Sequence, residues 1–177
     1  FGGIAATSPQ KITNFLKKQF AYILIAGPLS SLVFGLIFLF LFKTTDSIFN
    51  ASIGIVGIIS SGLFLATTLP SKSGVFFTDR KRIQRLLDKG RVGEIEYSFL
   101  RTTSQLLIDA HYKNISIEDL KIIQSDDEPI IQFWGYYYEF KYFEELGNSE
   151  KAVLIKEKLQ AYKEIVPVNI WNSLSIN

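Results

Sequence analysis

The chain has 177 residues, a net charge of +2 at pH 7 and no cysteine. The absence of cysteine excludes disulfides, thiolate metal ligands and a thiol nucleophile. The small net charge, without a stripe of Lys and Arg interleaved with aromatic residues, argues against nucleic-acid binding. A hydrophobic content of 47% predicts a membrane-embedded part joined to a water-soluble one.

The chain has no methionine and opens on Phe1-Gly2-Gly3. We therefore expect sequence to be missing upstream, and a cleaved signal peptide is the other origin of such a start. Ser8 and Pro9 suit the N-cap and the first position of a short amphipathic helix that runs to Gln19. Residues 1–19 are thus predicted to form an N-terminal loop and a juxtamembrane helix.

Two hydrophobic spans come next. Phe20–Phe42 contains no charged residue and is long enough to cross a hydrocarbon core of about 30 Å as a helix. Ile48–Leu69 holds many Gly, Ser and Thr residues, is marginal by itself, and is expected to need protein neighbours. Lys and Arg are more frequent outside the spans than in the turn between them, which contains Lys43. The positive-inside rule therefore predicts a hairpin with both flanks in the cytoplasm.

Small residues recur at four-residue intervals in both spans and share one face of each predicted helix. They are Gly27, Ser31 and Gly35 in the first span and Gly57 and Ser61 in the second. This face either packs the two spans against each other or lines a site on a helix outside this chain. Pro28 either lies near the first turn of its span, where a missing N–H is least costly, or kinks the helix.

The segment after the second span runs Leu69-Pro70 and then Ser73-Gly74-Val75-Phe76-Phe77-Thr78-Asp79-Arg80 before a helix resumes. On residue type alone, Asp79 fits the N-cap of that helix better than a metal ligand. With Ala26-Gly27-Pro28-Leu29-Ser30-Ser31 one span earlier, however, the segment resembles the site-2 protease family of intramembrane zinc metalloproteases. That family has a Gly-Pro-x-x-Asn element in one transmembrane helix and a later Asp-Gly element, often after Asn-x-x-Pro.

The resemblance implies a metal site centred on Asp79, which matches the third zinc ligand of the family. Gly27 and Pro28 match the Gly-Pro element, and Gly2-Gly3 match the Gly-rich strand that follows the catalytic helix. Further positions support the motif or depart from it. Pro70 and Gly74 support it. Three positions depart from it: Ser31 stands where the family has Asn, and Thr67 or Thr68 stands where the family has the Asn before the Pro. Arg80 stands where the family has the Gly after the Asp.

The catalytic helix of the family has no counterpart in this chain. Its His-Glu-x-x-His motif supplies two zinc ligands and the general base, whereas the only histidine here is His111, which we expect to be solvated or helix-capping. A catalytic zinc needs about three protein ligands and an open position for water. This chain, with no catalytic residue of its own, should therefore neither hold zinc tightly nor hydrolyse peptides. Either the catalytic helix lies upstream, or the chain is a degenerate relative without peptidase activity.

A helical tail is predicted for residues 92–177. Its expected helices are Glu94–Asp109 after a break at Gly93, one opening at a capping box Ser116–Asp119, one opening at Pro129, and Glu150–Ile165. The turn Glu145–Ala152, with Pro167 closing, resembles a single tetratricopeptide-like helix pair. Aromatic residues crowd the helix before it and form either core or a peptide-binding groove. They are Phe133, Trp134, Tyr136, Tyr137, Tyr138, Phe140, Tyr142 and Phe143.

The sequence as a whole predicts a mainly α protein of the cell membrane. Residues 20–91 form a transmembrane hairpin, and residues 92–177 form a cytosolic, tetratricopeptide-like tail. The resemblance implies the C-terminal part of a membrane-embedded zinc metallopeptidase that cuts a peptide or membrane-protein substrate. The alternative is a catalytically inactive, membrane-anchored adaptor whose tail binds a protein partner. A transporter subunit has little support, because two spans without an intramembrane charge offer no ion path.

Overall fold

The computed structural model describes residues 11–13, 15–43, 47–69, 72–73 and 76–174. The protein is mainly helical and divides into two compact units, Lys17–Leu87 and Asp88–Asn177, the latter together with Phe1–Leu16. The first unit is called the hairpin unit and contains α1 (Leu16–Leu41), α2 (Ile48–Thr68), β1 (Lys72–Ser73), β2 (Phe76–Phe77) and α3 (Asp79–Leu87). Leu16, the first residue of α1, is grouped with the second unit. The tail contains α4 (Arg91–Asp109), a 3-10 helix (Tyr112–Asn114), α5 (Ile117–Gln124), α6 (Pro129–Glu145), α7 (Ser149–Gln160) and α8 (Val168–Ser173).

Both α1 and α2 are long and apolar enough to cross a membrane. Most of their large apolar side chains are exposed, and Phe40 and Ile48 are the most exposed of them, at 89% and 87%. Apolar surface on this scale is typical of helices that contact lipid, because contact with water is unfavourable for apolar side chains and lipid tails replace that water. Length, composition and exposure therefore favour membrane association of this pair.

The first span begins earlier than predicted. Lys11–Thr13 is not helical, and α1 then runs without a break from Leu16 to Leu41. The prediction of a separate juxtamembrane helix ending at Gln19 is therefore wrong over the described residues, while Ser8, Pro9 and Gly2-Gly3 lie outside them. Lysine is a good helix former, so the pair of lysines before the span does not stop its helix from extending backwards.

This earlier start changes the position of Pro28. It lies inside α1, about three turns from the first residue, and not near the first turn. A proline at such a position removes one hydrogen bond from the helix interior. Nearby, Ser30 Oγ donates to the carbonyl oxygen of Gly27 at 2.8 Å.

Small residues bring α1 and α2 into close contact. A Cβ atom added to Gly35 would lie 2.6 Å from Ser61 Oγ and 3.0 Å from the Ser61 backbone nitrogen. A Cβ atom added to Gly57 would lie 2.9 Å from the backbone nitrogen of Leu39. Only glycine fits at such distances, and Ser61 satisfies its own hydroxyl by donating to the Gly57 carbonyl at 2.9 Å. The packing of one span on the other is thus confirmed for Gly35, Gly57 and Ser61.

Gly27 does not belong to this contact. It is exposed, and the space where its Cβ atom would lie is open. Residues four positions apart on an α-helix point in directions that differ by about 40° around the helix axis. A strict four-residue repeat therefore leaves the contact face after two steps. The face turned inward runs through Leu24, Pro28, Ser31 and Gly35, which are buried or half-buried.

The tail helices pack largely in chain order, α4 on α5, α5 on α6 and α6 on α7. Gly93 was predicted to break the first of them, but α4 runs through it from Arg91 and buries it. One helical glycine costs only about 1 kcal/mol relative to alanine, which a packed helix tolerates. The last long helix ends at Gln160, five residues before the predicted Ile165. Two predicted starts are confirmed, because Ser116 Oγ caps α5 at the Asp119 N–H and Pro129 opens α6.

Aromatic rings of α6 form the centre of the tail. Phe133 is completely buried, Tyr137 and Phe140 are buried, and the other five aromatic residues of the helix are half-buried. The Phe133 ring lies 6.2 Å from Tyr162 and 6.1 Å from Trp171, centroid to centroid. Of the two alternatives for these aromatics, core is therefore confirmed.

A buried carboxylate joins α5 to α6. Glu139 is only 3% exposed and accepts hydrogen bonds from Lys121 Nζ and Gln124 Nε2, both at 2.6 Å. Gln124 also donates to the Gly135 carbonyl at 3.3 Å, and a Cβ atom at Gly135 would lie 3.0 Å from the Gln124 backbone nitrogen. A buried charge is costly unless it is paired and hydrogen-bonded, and Glu139 is both.

Replacing the contact glycines by alanine should destabilise the hairpin unit. We expect Gly35→Ala and Gly57→Ala to lower the free energy of unfolding by about 1 to 3 kcal/mol each, the usual cost of overpacking. Gly27→Ala and Gly62→Ala add a methyl group in open space on the same two helices and serve as matched controls. Thermal unfolding of the purified chain in detergent measures the difference. Equal melting temperatures for the contact and control variants would contradict the close packing.

Candidate functional site

The segment after α2 turns back on itself before α3 begins. Strands β1 and β2 pair antiparallel, with Lys72 opposite Phe77 and Ser73 opposite Phe76. Phe77 is followed by Thr78, and α3 starts at Asp79 and contacts α2. The reversal therefore returns the chain to the end of the second span at the point where the predicted metal ligand occurs.

Two side chains cap the end of α2. Thr78 Oγ1 donates to the carbonyl oxygen of Leu69 at 3.0 Å, and Arg80 Nη1 donates to that of Thr68 at 3.3 Å. The last carbonyls of a helix lack intrahelical partners, so side-chain donors here satisfy groups that would otherwise be exposed. We call Thr78 and Arg80 the α2 cap. Asp79 lies between them in the chain and is therefore held next to the end of the span.

Asp79 itself is half-buried and is the first residue of α3. It lies one position later than the N-cap that its residue type favours. An acidic side chain in the first turn interacts favourably with the helix dipole, by about 0.3 to 1 kcal/mol at a surface. The carboxylate is thus stabilised by local structure whether or not it binds a ligand.

Two arginines of α3 lie over aromatic rings of the hairpin unit. The Arg82 guanidinium carbon is 4.9 Å from the ring centroid of Phe20, and that of Arg85 is 4.9 Å from the ring of Phe77. Such cation–π contacts contribute about 0.5 to 2 kcal/mol each, depending on burial. They attach α3 to the start of α1 and to β2, which fixes the helix that carries Asp79.

The other predicted motif residues either lie along α1 or fall outside the residues that the structure describes. Pro28 is buried, Ser31 is half-buried and Gly27 is exposed. Pro28 lies eight residues from Phe20, about 12 Å along the helix axis from the Phe20–Arg82 contact. The Gly-Pro element and Asp79 thus belong to one unit, with Gly-Pro further along the span. Pro70 and Gly74 fall outside the described residues.

The threonines that stand in place of the family's asparagine are used within α2. Thr67 Oγ1 donates to the Leu63 carbonyl at 2.9 Å, and Thr68 Oγ1 donates to the Phe64 carbonyl. Because each hydroxyl has a partner one turn back in its own helix, neither takes the part of an asparagine side chain directed at a neighbour.

The donor set determines whether a metal could bind. Over the described ranges, no group of three or more His, Asp or Glu side chains lies close enough together to hold one metal ion. A catalytic zinc needs about three protein ligands. Asp79 supplies one, so the described residues do not form a zinc site by themselves.

The only histidine lies in the tail and pairs with a carboxylate. His111 Nδ1 is 2.7 Å from Glu145 Oε1, while Glu145 Oε2 accepts from the backbone N–H groups of Tyr112 at 2.6 Å and Lys113 at 3.2 Å. Partial desolvation raises the pKa of Glu145, but these hydrogen bonds outweigh it and leave that pKa below its usual value. The group joins the end of α6 to the 3-10 helix. His111 is thus exposed, as expected, and has a structural partner.

Sequence reasoning missed the residues that hold Asp79. The sequence predicts Arg80 as a departure from Asp-Gly and as one of the basic residues of the cytoplasmic flank, yet Arg80 also caps α2. The sequence predicts Phe20 as the start of a span, yet its ring also lies under Arg82. A signal was present, because four cationic residues occur among the seven after Asp79 while two phenylalanines precede it. Arginine beside aromatic residues at a membrane edge is a pattern that predicts cation–π contacts.

Comparisons with known proteins identify no relative, since no family model, no curated protein and no solved structure matches the chain. Any assignment of function therefore depends on the residues and on their geometry.

The Glu145 group should make tail stability depend on pH. A carboxylate whose folded pKa is lowered adds stability above its unfolded pKa of about 4.5 and loses it as the pH falls through the folded value. We expect Glu145→Gln to be less stable than the parent at pH 7 and to lose less stability between pH 5 and 3. Thermal unfolding followed by circular dichroism measures both. Glu144→Gln, the neighbouring exposed carboxylate, is the matched control and should keep the parent's pH profile.

Proposed function

We propose that this chain is the C-terminal part of a membrane-embedded zinc peptidase in which Asp79 is the third metal ligand. In this proposal α1 and α2 cross the membrane, both flanks lie in the cytoplasm, and the substrate is a peptide or a membrane protein. The order and spacing of the Gly27-Pro28 and Asp79 elements, which resemble the site-2 protease family, support it.

One observation carries the proposal. The α2 cap holds Asp79 next to the end of the second span, half-buried, on a helix that is also attached to the start of α1. A metal ligand must be held rigidly by its supporting residues, and these contacts supply that support. A carboxylate directed into bulk water on a loose loop would not serve.

The remaining ligands would come from elsewhere in the complete protein. In the proposal they are the two histidines of a His-Glu-x-x-His helix upstream of Phe1. The exposed face at Gly27 is compatible with such a neighbour, because its open Cβ position leaves room for another helix to approach closely. The zinc site would then be shared between that helix and Asp79.

For the tail we propose a tetratricopeptide-like arrangement of α6 and α7. The two helices pack on each other across a short turn in which Gly147 has a positive φ of 71°. Asn148 Oδ1 accepts from the Lys151 N–H at 3.1 Å, and Ala152 is buried. These features suit a close helical hairpin, and α5 also packs on α6, which gives the pair the additional cover that it requires.

A second function is favoured by a different observation. Arg80 stands where the family has glycine, and it is committed to the Thr68 carbonyl. Lys81 and Arg82 follow it, so three basic residues come directly after Asp79 in the sequence. This supports a catalytically inactive, membrane-anchored adaptor whose tail binds a protein partner.

Zinc content separates the two functions. The reading frame upstream of Phe1 is determined, and the product of the complete frame is purified in detergent. The peptidase proposal expects about one zinc per chain and cleavage of a peptide substrate. We expect Asp79→Ala to lower zinc affinity and activity by more than about 100-fold, the upper end of what losing an outer-shell partner costs. Asp127→Ala, an exposed carboxylate in the tail, is the control and should change neither.

An upstream frame without His-Glu-x-x-His, or an Asp79→Ala protein that keeps its zinc and activity, would rule out this assignment. In the first case the adaptor function stands, and the tail is then the part to test for a protein partner.

A further inference from the structure

We propose that one end of the hairpin unit binds the headgroups of anionic phospholipids. We call this end the cationic end and define it by five basic residues that are exposed or half-buried, Lys17, Lys18, Arg80, Lys81 and Arg82. The proposal goes beyond the peptidase function and does not depend on zinc. It requires only that the hairpin lies in a bilayer.

The charge of the unit is strongly asymmetric. Among the residues of the unit that the structure describes, these five basic residues lie at the cationic end with one acidic residue, Asp79, whereas Lys43 follows α1 at the opposite end. Clusters of four to eight Lys and Arg beside a membrane helix attract anionic lipids, by about 1 kcal/mol for each residue near the surface. The count at this end falls within that range.

The fold assembles this end from two separate parts of the sequence. Arg82 lies over Phe20 at 4.9 Å and so joins α3 to the first turns of α1. Lys17 lies three residues before Phe20 and therefore on the same side of α1. Lys18, Arg80 and Lys81 are exposed. The lysines of α1 and the basic residues of α3 thus act as one group.

The adjoining surface favours a lipid over other polyanions. Tyr22 is 71% exposed and lies one turn from Lys18 on the same face, and Leu69 is 62% exposed at the end of α2. A phospholipid would place its phosphate on the cations and its acyl chains on these apolar groups. An acidic peptide or a nucleic acid would use only the charge, leaving the apolar surface uncovered.

Lipid selectivity in detergent tests the proposal. The purified chain in a neutral detergent is titrated with dioleoylphosphatidylglycerol or dioleoylphosphatidylcholine, and binding is followed by native mass spectrometry. We expect selectivity for phosphatidylglycerol. The double variant Lys18→Gln, Lys81→Gln should weaken phosphatidylglycerol binding by about 10- to 30-fold, roughly fivefold for each charge. Both side chains are exposed, so the variant should fold like the parent.

A charge-matched control removes two exposed lysines elsewhere, as Lys43→Gln, Lys113→Gln. It should keep the selectivity of the parent. Equal binding of the two lipids, or equal weakening by both double variants, would overturn the proposal. Competition by polyglutamate at concentrations that displace phosphatidylglycerol would also overturn it, because the end would then be a general anion site. None of these results bears on zinc content, so the two proposals can fail separately.

Discussion

The end of α2 imposes the constraint on which the hairpin unit depends. The last carbonyls of an α-helix have no partners within the helix, and a backbone group left unsatisfied in an apolar setting costs several kcal/mol. Thr78 and Arg80 meet this need at Leu69 and Thr68. Thr78 and Arg80 follow the β1–β2 pair in the chain. The hydrogen bonds that satisfy the end of α2 therefore also hold the chain folded back on that helix. The residue between them, Asp79, is positioned as a consequence.

Close packing and cation–π contacts extend this arrangement to the first span. Gly35 and Gly57 allow the backbones of α1 and α2 to approach within distances that a methyl group would occupy. Arg82 then ties α3 back to Phe20. The hairpin unit is therefore held together by close backbone packing and by arginine side chains that lie over aromatic rings. Neither kind of contact depends on the hydrophobic effect, which does not drive helix association in lipid. Both proposed functions of this unit use the same framework, the carboxylate for metal and the outward lysines for lipid.

The tail is stabilised differently, by a buried core. An aromatic cluster around Phe133 supplies the buried apolar area, and paired charges are set into the interfaces around it. Glu139 with Lys121 and Gln124, and Asp119 with Arg101, each join two helices. Losing one partner of such a pair leaves a buried charge uncompensated, which costs more than the pair itself contributes.

The sequence alone determined the helical class, the two apolar spans and the starts of α5 and α6, because these follow from local composition, periodicity and capping. It left the aromatic residues of α6 as either core or a peptide-binding groove. It also marked Asp79 through its resemblance to a motif. Tertiary structure decided the rest. Gly35 contacts α2 and Gly27 does not, because the direction in which a residue faces changes over several helical turns. Arg80 caps α2 at Thr68 because the chain reverses direction over the twelve positions that separate them. Contacts between residues distant in sequence leave no local pattern, so only the fold reveals them.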